Sequence, residues 1–152
     1  MAANSKREQI LLKLIDELGA LACIKFVDRK QPQGLSDLQQ YAETQLPLAV
    51  VMGRLPAPEY KISGRDGHTV DKVVSTLGVD VIVYAHDNVS PDSTISEIAD
   101  DIWAALLADE THGFSWVTGT VIVPETNVGV WDPYCAFSFL VNLTYIHGKG
   151  GI

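Results

Sequence analysis

The sequence predicts an α+β domain: a mainly antiparallel or mixed sheet of four to five strands with two amphipathic helices packed on one face. Three observations predict it. Two stretches place apolar residues at helical spacing behind capping signals, and several others are apolar and either β-branched or alternating. The elements follow in the order α-β-β-β-α-β-β, which is not a series of βαβ units and so argues against a parallel, doubly wound sheet. The 152 residues read as a single α/β domain, 1–152, large enough to enclose a real core.

The first helix starts at Ser5, where Ser5-Lys6-Arg7-Glu8 fits a capping box. Ile10, Leu11, Leu14, Ile15 and Leu18 recur on one stripe, and Gly19 weakens the end. Cys23 to Val27 is a short apolar run read as a strand, and a short helix fits Ser36 to Thr44. Leu48 to Leu55 reads as a partly buried strand. A long excursion follows at about 56–74. Its core, Pro56 to Asp71, holds two prolines, two glycines and five charged residues. Connections of this length are usually functional or disordered, and a β-ribbon turning at Gly64 to Gly67 is an alternative form for it.

Leu77 to His86 alternates with period two. Pro91 and Asp92 read as turn residues before a second capping box, Thr94-Ile95-Ser96-Glu97. Ile95, Ile98, Ala99, Ile102, Trp103, Leu106 and Leu107 form that helix's apolar stripe, with Glu97, Asp100 and Asp101 on the wet face. Trp116 to Val123 is β-branched, and Tyr134 to His147 is a long strand. The connection Pro124 to Pro133 carries Trp131, the aromatic most exposed by sequence and a candidate interface residue. The helix stripes and the odd-numbered strand positions should form the core.

Net charge is −8. Binding nucleic acid through bulk charge needs a basic surface, so no sequence-specific nucleic-acid partner is expected. No apolar run approaches the ~20 residues that span a bilayer, and Met1 to Gln9 lacks a signal-peptide core. A cytosolic protein with no membrane partner is the expectation. Cys23 and Cys135 read as buried free thiols.

No motif nominates chemistry. Gly148-Lys149-Gly150-Gly151 has no helix after it to cradle phosphate. His68, His86, His112 and His147 show no metal-ligand spacing, and the acidic run from Glu97 to Glu110 has no calcium-loop pattern. The reading is therefore a protein that is not an enzyme, with no catalytic, cofactor or metal residues. The alternatives are a small enzyme with a strand-end site, such as His86, Asp87 and His112, and a ligand-binding regulatory domain.

The order and spacing resemble the tail terminator proteins of long-tailed bacteriophages, small α/β proteins that form a hexameric ring on the tail tube. The matching features are the helix Arg7 to Leu21 and the proline-led strand Gln45-Leu46-Pro47-Leu48-Ala49-Val50-Val51. They continue with the excursion from Pro56 to Val74 and the strand Leu77 to Tyr84. Next come the helix Thr94 to Ala108, the turn Asp109-Glu110-Thr111-His112-Gly113 and the closing strand Ala136 to Ile146. Neck and tail-completion connector proteins share much of this pattern and are the alternative.

The resemblance implies a virion structural protein of the tail, present in the host cytoplasm during assembly. It would form a ring, stop tail polymerisation and offer a surface for head attachment. Implied partners are further copies of itself, the major tail tube protein and a head-side connector protein. Tyr60, Lys61, Arg65 and Asp66 in the excursion, with Trp131, are the candidates for inter-subunit or partner contacts. Mixed charge there suits specificity and register.

Overall fold

A computed structural model describes residues 5–30, 46–63, 69–86, 91–124, 129–131 and 134–148. Its elements are α1 (Lys6–Gly19), β1 (Phe26–Asp28), β2 (Leu48–Gly53), β3 (Ala57–Ser63), β4 (Thr69–His86), α2 (Pro91–Ala108), β5 (Val117–Pro124), β6 (Gly129–Trp131) and β7 (Tyr134–Gly148). The fold is α+β, with a mixed sheet and two helices on one face.

Two long strands organise the sheet. β4 and β7 pair antiparallel from Lys72↔Gly148 to His86↔Tyr134. The main path runs β1-β2-β4-β7-β5. β1 is parallel to β2, and every other pairing is antiparallel. β3 lies beside the first half of β4, along the edge that β2 occupies further on. β6 lies beside the start of β7, on the edge that carries β5. The sheet therefore has seven strands, more than the sequence suggests. The two additions come from segments read as connections, because a proline- and glycine-rich ribbon pairs through its backbone without an apolar alternation to announce it.

α1 is capped as expected on one side: the Ser5 hydroxyl accepts from the Glu8 amide at 3.2 Å. The Glu8 carboxylate is taken by the Arg29 guanidinium, with Nη2 to Oε2 at 3.1 Å. That pairing holds the Glu8 carboxyl below its ordinary range. α2 begins at Pro91, three residues before the expected start. Proline favours the first helical position, because its fixed φ suits the helix and its missing N–H would be unpaired there anyway. The Thr94–Glu97 box thus falls inside the helix. Cys23 is not in a strand: the chain keeps turning after α1, with Leu21 N donating to Leu18 O and Ile24 N to Leu21 O. Cys23 is half-buried and Cys135 buried, both as free thiols. The expected helix at Ser36–Thr44 lies outside the described residues.

One main core fills the space between sheet and helices. Ile10, Leu11, Leu14 and Leu18 of α1 and Ile98, Ile102 and Leu106 of α2 meet odd-numbered residues of β4 and β7, from Leu77 to Ala85 and from Cys135 to Tyr145. Each fully buried side chain of this size contributes roughly 1.5–3 kcal/mol. Trp103 departs from the expected stripe: it is 38% exposed and meets Phe139 edge-on at 5.7 Å. A second cluster, Leu46, Leu48, Val50, Ile82, Tyr84 and Ala136, is buried on the helix-free face. That makes β2 apolar on both faces and explains its unbroken apolar sequence.

Candidate functional site

The excursion is a β-ribbon. Ala57–Ser63 pairs with β4 from Thr76 back to Thr69, with an irregularity between Lys61 and Ile62. Tyr60 lies opposite Val73 and Lys61 opposite Lys72. Lys72 is also the last β4 residue with a β7 partner. Beyond it the ribbon continues through Ile62↔Val70 and Ser63↔Thr69, so it extends past the described end of β7 by about 10 Å at strand rise. Arg65 and Asp66 lie outside the described residues.

Trp131 sits elsewhere. It pairs with Tyr134, at the opposite end of β7 from Gly148. The fourteen residues between them make roughly 45 Å of strand. The structure thus brings Tyr60 and Lys61 together on one ribbon and leaves Trp131 far from them.

The strand-end alternative is not assembled either. His86 is exposed and pairs with Tyr134 at one end of the sheet. His112 is buried, and its ring bonds Thr120, which pairs with Leu143. Leu143 and Tyr134 are nine residues apart along β7, about 30 Å. Asp87 lies outside the described residues.

Sequence reasoning missed two buried histidine pairs. In the first, His112 Nδ1 lies 2.8 Å from Glu17 Oε2 on α1, and Nε2 lies 2.9 Å from Thr120 Oγ1 on β5. Thr120 Oγ1 gives its only proton to the Glu110 carbonyl at 2.7 Å, so it accepts from Nε2. The carboxylate accepts from Nδ1. Both ring nitrogens are thus engaged, one by the Glu17 carboxylate and one by the Thr120 hydroxyl. The turn that aims His112 is held by Asp109: Oδ1 accepts from Thr111 N and Oγ1, and Oδ2 accepts from Gly113 N. Those donors keep the Asp109 carboxyl below its ordinary range. His112 has φ +52° and Gly113 φ +80°, a left-handed pair that lets the chain reverse into β5.

In the second, Ser75 Oγ on β4 lies 2.7 Å from His147 Nε2 on β7, and His147 Nδ1 donates to the Gly148 carbonyl at 2.7 Å. Around this pair, Lys6 Nζ donates to the Ile146 carbonyl at 2.8 Å and sits over the Trp116 ring. Arg7 donates to the carbonyls of Gly53 and Arg54. Burial raises the Tyr145 phenol above its usual range.

Both arrangements have the hydroxyl–imidazole connectivity of an activated nucleophile. Ser75, His112, Thr120 and His147 are all buried, so the hydroxyls lie beneath the surface and tie elements together. No sequence signal marked them, because Glu17 lies 95 residues from His112 and Ser75 lies 72 from His147.

A shallow groove of about 470 Å³ runs between α1 and β1, lined by Ile15, Asp16, Gly19, Ala20 and Ile24–Val27. Its two charged side chains, Asp16 and Lys25, offer no convergent set of ligand-binding groups. No cluster of three or more metal-ligating side chains occurs among the described residues. Among them too, no helix is long and apolar enough to cross a membrane. The chain matches no protein-family model and no curated protein.

Proposed function

We propose that this chain is the subunit of a ring that caps the tail tube of a long-tailed bacteriophage, stops its polymerisation and offers the head-side connector a docking surface. The observation that carries the reading is the β3–β4 ribbon. It carries Tyr60 and Lys61 on paired backbone, opposite Val73 and Lys72, rather than on a loose loop. A ribbon anchored to the central strand reaches a neighbour with little further loss of conformational entropy. Ring formation requires only a heterologous contact whose rotation closes, and the net charge of −8 opposes premature closure until a partner compensates it.

The test combines sizing with electron microscopy of the purified protein mixed with tail tubes. Rings seated on tube ends, and tubes that no longer lengthen, are expected. Shortening the ribbon between Lys61 and Val70 should abolish capping and leave the circular dichroism spectrum intact. Tubes that keep growing with no ring at their ends across salt conditions refute the reading. Binding to the connector alone, without any effect on tubes, replaces it with a neck connector.

A further inference from the structure

We infer that the first turn of α1 is a clamp: Lys6 and Arg7 are positioning residues that grip the backbone on either side of the ribbon's root and so fix the strand that carries Tyr60 and Lys61. This deepens the capping reading, which rests on the ribbon without saying what holds it.

The root is three-stranded. Residues 72–76 of β4 pair with residues 57–61 of β3 on one side and with residues 144–148 of β7 on the other. One row across it is Tyr60, Val73 and His147, and the next is Lys61, Lys72 and Gly148. A two-stranded hairpin is marginal in water, whereas a third strand with a packed face makes it stable. The end of β7 is that third strand, and its Tyr145 lies in the main core. The order of the backbone at Tyr60 and Lys61 therefore depends on how firmly the end of β7 and the entry to β3 are held.

α1 holds both. Lys6 Nζ donates to the Ile146 carbonyl at 2.8 Å, and the ammonium is seated 5.0 Å from the centroid of the Trp116 ring. Pairing between β5 and β7 reaches Tyr145 at Val117. One residue further on, Ile146 N donates to the Trp116 carbonyl at 2.8 Å while Lys6 takes the Ile146 oxygen. Arg7 reaches the other side of β4. Its Nη2 donates to the Gly53 carbonyl at 2.8 Å and its Nε to the Arg54 carbonyl at 3.1 Å. Gly53 ends β2, and Arg54 opens the link into β3. Consecutive helical residues project about 100° apart, so neighbours on one turn can reach opposite sides of a strand. The fit at Gly53 is close, since a Cβ there would lie 2.9 Å from Arg7 Nη2.

Bonds from a charged donor are roughly twice as strong as neutral ones, which suits a few side chains holding a backbone in place. Within the root, the buried Ser75–His147 pair adds a tie of 2.7 Å between β4 and β7.

Hydrogen exchange read by mass spectrometry, run beside the tube-capping assay, tests the clamp. Lys6→Met with Arg7→Met removes both head groups and keeps the apolar stems. In the wild type the amides of residues 57–63 and 69–76 should exchange slowly. In the double variant they should exchange at least about tenfold faster, while residues 77–86 and 135–143 change less than about twofold, because the opening is local. Arg29→Met removes the ion pair to Glu8 in the same turn and touches neither side of the root, so it should leave the ribbon as slow as in the wild type. Ribbon amides that are fast in the wild type overturn the inference, as does a double variant whose ribbon is unchanged or whose sheet centre loosens equally. Arg29→Met loosening the ribbon as much as the double variant overturns it too. A loosened ribbon that still caps tubes as the wild type does removes the positioning role. If the wild type ignores tubes and the local loosening is seen, the capping reading falls and the clamp stands.

Discussion

Replacing His112 with alanine should cost about 3 kcal/mol. Three losses set that figure. The charge-assisted bond to Glu17 is worth roughly 1.5–3 kcal/mol and the bond to Thr120 about 1 kcal/mol. The ring also leaves unfilled space beside β5, worth on the order of 1 kcal/mol. One effect offsets them. The Glu17 side chain is 20% exposed, so its carboxylate regains some hydration when the imidazole goes. Alanine at φ +52° gives no relief of backbone strain. Urea unfolding followed by tryptophan fluorescence gives the free energy, and for a chain of this size the melting temperature should fall by about 6–12 °C. Glu17→Gln should cost roughly 1–2 kcal/mol, because it keeps the shape and removes the charge. A double-mutant cycle should return a coupling above about 1 kcal/mol. A His112→Ala loss under about 1 kcal/mol, or a cycle with no coupling, would refute the account of His112 bridging Glu17 and Thr120.

Three further outcomes follow from the packing. Gly53→Ala should destabilise by about 1–3 kcal/mol in the same assay, since a Cβ there would come within 2.9 Å of the Leu11 methyls and the Arg7 guanidinium. Leu143→Ala should cost about 3 kcal/mol, because the side chain is fully buried between sheet and helices. Burial raises the Tyr145 phenol, so the folded chain holds that proton more tightly than the unfolded one. Its stabilising contribution is intact below about pH 10 and is lost as pH rises beyond it. Ultraviolet titration should show a late tyrosine ionisation, and Tyr145→Phe should remove that step.

Strong periodic signals located the main elements. The stripe from Ile10 to Leu18, the alternation from Leu77 to Ala85 and the long strand from Tyr134 needed only local pattern, since each buries one face against the others. Capping chemistry was less reliable. Ser5 caps α1 as its sequence suggests, but Pro91 opens α2 ahead of Thr94 because proline competes for the same terminus. The sequence offered β3 only as the alternative of a ribbon turning at Gly64 to Gly67 and did not mark β6, because their order comes from pairing with β4 and β7 rather than from side-chain alternation.

By itself, then, the sequence determined the class of fold, the two helices, the odd-numbered core face and the acidic charge. These depend on hydrophobic period and composition, which are local. Tertiary structure alone decided that Glu17 meets His112 and Thr120, and that Ser75 meets His147. It also decided that Trp131 pairs with Tyr134, at the far end of β7 from the ribbon. Those relations join residues up to 95 positions apart. Strand order and register bring them together, and no window of sequence records either.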